Sequence, residues 1–391
     1  MKHVWLTYSA RVFPISMILL SACIEQYFPD RDELKPGTLV VRADLTDEAG
    51  IQSIHISRSS TIVYPEYDPQ SGCFVSVENE AGESREFSEL EPGQYTGNLD
   101  QDFLIRGTAY RLEIITRDGT HYESDFEQLL PVPAIESVYF AREDRATRDP
   151  EIIEEGVQFY MDFEIRKDSG RYLRWKLIET YEIHNPENQA WIYDVDRVSR
   201  ELPDSSSWYT CWITRELPDL YTLDLGNIDG EVYRSLPLNY VSTETRRLNI
   251  RYSLLIEQLA LSRTAFFYWD ELAKNIQSQG NLFDTQPALT PGNICNVNDT
   301  EEMVIGFFSI SGHTQARIYV ENVPGLEVRM DPNYCAPGAP PAFLYYMHDR
   351  YLPVYTSAGW NSGEWTYGEV HKYCVDCREY KESTHIKPDF W

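Results

Sequence analysis

The chain has 391 residues, with 34 lysines and arginines against 62 aspartates and glutamates, a formal net charge of −28 at neutral pH. Phosphate backbones demand a basic face, so this balance argues against a nucleic-acid partner and disfavours direct adhesion to anionic headgroups. Hydrophobic residues at 42% and aromatic residues at 13% are ample for a packed core, which separates the chain from disordered acidic tails.

Residues 1–22 have the parts of a secretory leader: a weakly basic start (Lys2, His3, Arg11), an apolar run from Val12 to Leu20, then small residues. Such a run is too short for a membrane span, which needs about 20 residues. Leu20-Ser21-Ala22-Cys23 has the form of a bacterial lipobox. In that reading cleavage precedes Cys23, and its thiol carries a lipid (palmitate-type acyl chains) as the anchor. No later segment is long and apolar enough to span. Without the leader, 32 basic and 62 acidic side chains remain, a net charge of −30. Residues 23–36 lack periodicity and contain Pro29 and Pro36, so they read as a tether reaching about 45 Å at full extension.

From 37 to 131 the pattern is all-β. Strands are expected at T-L-V-V-R-A-D-L, S-I-H-I-S-R and C-F-V-S-V-E, where Cys73, Val75 and Val77 alternate with polar partners. Tyr110, Leu112 and Ile114 alternate before Asp118-Gly119, a dipeptide of tight hairpins in which both residues take positive φ. Short strands with turns every 8 to 12 residues indicate an immunoglobulin-like β-sandwich, though without the tryptophan and flanking cysteines of an antibody domain. The proline-marked stretch 129–137 opens a larger β-rich, sandwich-like domain, 132–391. There Val157, Phe159, Met161, Phe163 and Ile165 alternate, Lys167 to Gly170 turn, and Leu173, Trp175 and Leu177 alternate on the return. This is expected to be a long hairpin whose apolar face needs a second sheet. One helix is expected at about 262–279, capped by Ser262 and ended by Gly280, with Ala265, Trp269, Leu272 and Ile276 on its packing stripe.

Beyond Cys23 there are six cysteines, an even number that reads as disulfides in an oxidising compartment and permits 15 connectivities. Cys374-Val375-Asp376-Cys377 admits three readings: half of a zinc site with His371 and His385, a redox dithiol, or a clamp on the tail. A second zinc knuckle is missing and no helix follows the pair, so disulfides are favoured, with one of the pair joined to Cys335. Signatures of chemistry are sparse. No histidine stands in H-E-x-x-H, Gly359–Gly363 is not a nucleophile elbow, and Asn227–Gly230 lacks the outer ligands of a calcium loop. No catalytic residue, metal ligand or cofactor site is assigned. Pro340 to Tyr373 is rich in aromatic residues among glycines and prolines, and it is expected to be a loop. Tyr351, Tyr355, Trp360, Trp365 and Tyr367 are the candidates there for contacting a glycan, peptide or protein partner. The alternative is a loop packed over the second domain.

The order of several segments resembles a known family. These are L-V-V-R-A-D-L-T-D, E-L-E-P-G-Q-Y, D-G-T-H-Y-E-S, P-V-P-A-I-E-S-V-Y-F, L-S-R-T-A-F-F-Y-W-D-E-L, G-N-L-F-D-T-Q-P and V-I-G-F-F-S-I-S, closing with C-V-D-C and K-P-D-F-W. From about Leu39 to Trp391 the chain resembles the outer-membrane lipoproteins of domain-of-unknown-function family 4249, common in Bacteroidota. The resemblance implies a lipid-anchored protein facing the cell surface, with an N-terminal immunoglobulin-like module, often associated with TonB-dependent importers. The expected function is a non-catalytic accessory binding or scaffolding subunit of such an importer. A surface structural, adhesion or secretion-linked component is the alternative, and an unrecognised enzyme the third reading.

Overall fold

The computed structural model describes residues 37–391, except 62–65, 148, 150, 186–190, 202–207, 229, 278–289, 329–334, 336–340 and 362–363. Cys23, its leader and its tether lie outside the described residues. The architecture is mainly β, as the alternation implies. In the first sandwich Leu39, Val41, Ala43 and Leu45 point inward from strand Leu39–Thr46 while their neighbours face out. The same period of two buries Ile54 and Ile56, Val75 and Val77, and Tyr110, Leu112 and Ile114.

One layer contains Leu39–Thr46, Gly50–Arg58 and Gln94–Leu99; the other contains Phe74–Asn79, Ala109–Ile115 and His121–Ser124. Ser84–Glu91 joins them, its first half pairing with Phe74–Asn79 and its second with Gln94–Leu99. The sequence places this module at 37–131, but its core is completed from far along the chain. Ile294–Asn296 adds to the edge of the second layer, and Val304, Phe308 and Ile310 are buried in the same core.

Those last residues belong to the longest strand, Val304–Glu321. Residues 304–311 run parallel to Leu39–Thr46, and residues 312–321 pair antiparallel with Arg251–Leu261. One strand therefore serves both sandwiches. Two glycines permit the handover. Gly306 has φ +115°, and a Cβ there would lie 1.8 Å from the Val41 carbonyl oxygen. At Gly312, where the partner changes, a Cβ would lie 2.2 Å from the Leu130 oxygen. Any side chain at either position forces the backbones apart.

The second sandwich faces Ile135–Ala146, Ile153–Glu164 and Val232–Ser242 against Arg251–Leu261, Tyr172–His184 and Thr210–Glu216. The hairpin expected across Lys167–Gly170 does not form. Ile153–Glu164 already has partners on both edges, so the chain crosses to the opposite sheet instead. The two alternating apolar faces then cover each other, with the Phe163 and Trp175 rings 5.7 Å apart. Gly170 N–H donates to the Pro131 carbonyl at 2.7 Å, which ties this crossing to the proline-marked segment.

The helix, Arg263–Gln277, packs on the outer side of this sheet. Ser262 caps it, its Oγ accepting from Ala265 N–H at 3.0 Å. The packing stripe is Ala265, Phe266, Trp269 and Ala273; Ile276, expected on it, is exposed. The stripe is turned because Phe266 wedges against Tyr172.

A buried charge cluster sits where the sandwiches meet. Asp44 of the first strand takes Arg174 and Lys176 from Tyr172–His184 at 3.0 and 2.5 Å, and accepts from Ser309 Oγ on the shared strand at 2.9 Å. The Arg174 guanidinium lies 3.4 Å from the Trp269 ring centre. Burial alone would raise the Asp44 carboxyl, but the two cations overrule it and hold it far below the usual carboxylate range. Such a group stabilises the fold above its unfolded pKa of about 3.9 and loses that contribution as the pH falls towards its folded value. Asp44→Asn strands two buried cations and is expected to remove about 3–5 kcal/mol at neutral pH. Denaturant unfolding of wild type and variant should show the gap narrowing steadily below about pH 4; a gap independent of pH would contradict this electrostatic account.

Candidate functional site

The aromatic stretch does not form a loop. Val354–Asn361 and Glu364–Glu369 pair as a hairpin, and Trp191–Tyr193 with Ser199–Glu201 extend it to a separate four-stranded sheet. Its glycines and prolines suggested irregular backbone. The intervening threonines, tyrosines and tryptophans, however, are residues that favour strands, and Pro353 sits just before the strand begins.

The sheet brings some candidates together and separates others. Trp360 pairs with Trp365 along the backbone and Tyr367 with Ala358; their side chains lie outside the described residues. Tyr355 is half-buried against a small core of Val370, Cys374 and Val375, so it supports the sheet. Tyr351 is 56% exposed, and the Arg350 guanidinium lies 4.6 Å over its ring. Two further tyrosines of the stretch are exposed as well. In the short helix Pro341–Tyr346, Leu344 is buried while Tyr345 and Tyr346 are 59% and 83% exposed, their rings edge-to-face at 5.3 Å. Both stand in the aromatic stretch but not among the five ligand candidates, and the signal for them was the inward-facing Leu344 beside them. Arg197 ties the Asp349–Tyr351 turn to the loop before Ser199–Glu201 through a 2.6 Å ion pair with Asp349.

Two disulfides fix this platform. Cys335 is joined to Cys374, and Cys377 to Cys211 of strand Thr210–Glu216. The two cysteines of the C-V-D-C pair thus take different partners, which leaves neither thiolate for the zinc or dithiol readings. Between them, Asp376 accepts two bonds from the Arg378 guanidinium at 2.8 Å, which hold its carboxyl below the ordinary range against the opposing effect of burial. That guanidinium lies 4.1 Å over Trp208. Downstream, Ser383–Thr384 adds a short strand to Thr210–Glu216, and Trp391 Nε1 donates to Glu182 at 3.0 Å.

Of six cysteines expected to pair, Cys73 and Cys295 remain free thiols. Ile294–Asn296 and Phe74–Asn79 are separated by two intervening strands, about 14 Å across the sheet, beyond the reach of a disulfide. A cleft of about 350 Å³ lies beside the helix, lined by Trp175, Tyr221, Thr222, Asp270 and Lys274 among others. Burial pushes the Tyr221 hydroxyl up to about 12, and Asp270 is already satisfied by Thr222 at 3.0 Å and Lys274 at 2.6 Å. Among the described residues, three metal-ligating side chains converge at one place, on the first sandwich: Glu113, His121 and Glu123.

These features define a mainly-β, two-sandwich protein with a disulfide-clamped C-terminal platform. The chain belongs to the family described as "Domain of unknown function (DUF4249)", whose model matches residues 24–317. The match covers the platform strands Trp191–Tyr193 and Ser199–Glu201 but ends before the hairpin Val354–Glu369, whereas the resemblance in the sequence runs to Trp391. No curated protein matches the chain. Among solved structures, it is similar to a DUF4785 family protein from Legionella pneumophila at 11% identity and a TM-score of 0.20, covering 57% of this chain and 53% of that one. It is also similar to trypsin-activated alpha-2-macroglobulin from Escherichia coli at 12% identity and a TM-score of 0.19, covering 59% of this chain and 15% of that one. A third, collagen adhesin from S. aureus, gives 8% identity and a TM-score of 0.10, covering 73% and 94%. The chain thus spans about half the length of the first of these, and at such scores none carries an argument about function.

Replacing Cys335 and Cys374 together by alanine opens a link between positions 39 residues apart. The platform should lose about 3 kcal/mol of local stability, raising amide exchange in Val354–Glu369 about 100-fold while the sandwiches keep their protection. Hydrogen-exchange mass spectrometry reads this directly, and unchanged protection would show that the strands hold without the bridge.

Proposed function

We propose that the chain is a non-catalytic, lipid-anchored outer-membrane lipoprotein of the Bacteroidota type, acting as an accessory binding or scaffolding subunit of a TonB-dependent nutrient importer. The L-S-A-C sequence at 20–23 supports the anchor, and membership of the family supports the class. The observation that carries the binding role is the exposed group of Tyr345, Tyr346 and Tyr351 on a platform held by two disulfides. Tyrosines fixed in this way offer large amphipathic contact area with little entropy left to lose on binding. The partner surface would be the barrel protein, or a glycan or peptide delivered to it.

The test is a detergent pull-down of the tagged lipoprotein from native outer membranes, wild type beside the double variant Tyr346→Ala, Tyr351→Ala. Wild type should recover a TonB-dependent barrel at near-equal stoichiometry. The variant should lose it by about 30-fold or more, with stability changed by no more than about 0.5 kcal/mol. Recovery of filament or secretion components in place of a barrel would move the reading to surface structure. Equal recovery by both proteins would remove the tyrosines from the interface.

A further inference from the structure

The hairpin expected at Asp118-Gly119 forms, but only Gly119 takes a positive φ, +86°. Thr116 N–H donates to the Thr120 carbonyl at 2.9 Å, closing a three-residue loop around Arg117, Asp118 and Gly119. This loop sets the register: Glu113 stands opposite Glu123, and Ile115 opposite His121. Leu112, Ile114 and Tyr122 occupy the inward positions, so Glu113, His121 and Glu123 share the outer face.

On that face one oxygen of each carboxylate and the Nε2 of His121 lie within 4.8 Å of one another. His121 Nε2 is 3.0 Å from Glu113 Oε1 and 3.4 Å from Glu123 Oε1. Ligands at zinc distances around a tetrahedral centre are about 3.3–3.5 Å apart, so this spacing fits a shared ion. His121 Nε2 is cut off from solvent and has no hydrogen-bond partner, although two carboxylates flank it.

The remaining oxygens are already held. Ser76 Oγ donates to Glu113 Oε2 at 3.1 Å, and Arg111 Nη1 to Glu123 Oε2 at 2.9 Å. Arg111 also contacts Glu78 at 2.9 Å. Outer-shell bonds of this kind orient metal-binding carboxylates and leave one oxygen of each free for the ion. Glu78, Glu113 and Glu123 are gathered near the single guanidinium of Arg111, an excess of negative charge that a divalent cation offsets. The exposed thiol of Cys295 stands opposite Glu123 on the neighbouring edge strand, on the side away from Glu113, and its sulfur lies outside this group of converging atoms.

The geometry points to a divalent transition-metal site, suited to Zn²⁺, formed by Glu113, His121 and Glu123. The imidazole in the set favours zinc over calcium or magnesium, which take oxygen ligands. The ion would pin the two strands of the hairpin to each other across their outer face.

The tag-free full chain is titrated with Zn²⁺ in competition with a chromophoric chelator, and with Co²⁺ followed by absorption. Wild type should bind one equivalent, and zinc should raise its melting temperature. His121→Asn and Glu113→Gln should each weaken binding at least 10-fold; both positions lie on the outer face, and circular dichroism without metal confirms that the variants are folded. Cys295→Ser should bind the ion as tightly as wild type. Wild-type binding no tighter than that of His121→Asn would overturn the site.

Discussion

The Val304–Glu321 strand is the constraint on which the rest of the molecule depends. Its first half supplies Val304, Phe308 and Ile310 to one core, and its second half supplies Val320 to the other. A strand cannot be withdrawn from one sheet without breaking its backbone ladder to the other, and an unpaired buried amide is expensive. The two glycines and the Asp44 cluster are consequences of this sharing. Gly306 and Gly312 admit the close backbone approach at the junction, and Asp44, paired with Arg174 and Lys176 and bonded by Ser309, fills the same seam.

The same economy of anchoring recurs at the end of the chain. The C-terminal sheet has only a small core of its own, built around Val370, Cys374 and Val375. Two disulfides supply what that core lacks, one closing the platform and one fastening its tail to the second sandwich. Leu344, buried in its short helix, leaves Tyr345 and Tyr346 facing out. Rigidity and exposure are therefore produced together, which is the condition under which tyrosines serve as a recognition surface.

Much of the fold was legible because alternation is a local signal. The buried faces at 39–45, 75–77, 110–114, 157–163 and 173–177 can be read directly from apolar spacing, and Ser262 marks the helix start. Pairing is not local. The alternating runs at 157–165 and 173–177 suit a hairpin or two facing sheets equally well, and the partners on each edge made the choice. Nor could the sequence show that 294–310 returns to the first core. The site was legible in its residue types alone. The crowd of aromatic residues near the end was evident, but which of them face out depends on a six-residue helix and on the company Tyr355 keeps. Glu113, His121 and Glu123 were invisible as a group, since only the hairpin loop and its register bring them together.

The most direct test of this account is the heat capacity of the intact, oxidised chain through thermal unfolding. If the shared strand couples the two sandwiches, they melt in one transition whose calorimetric and van't Hoff enthalpies agree. Two separable transitions, with one sandwich still folded after the other has melted, would show that the strand merely connects them.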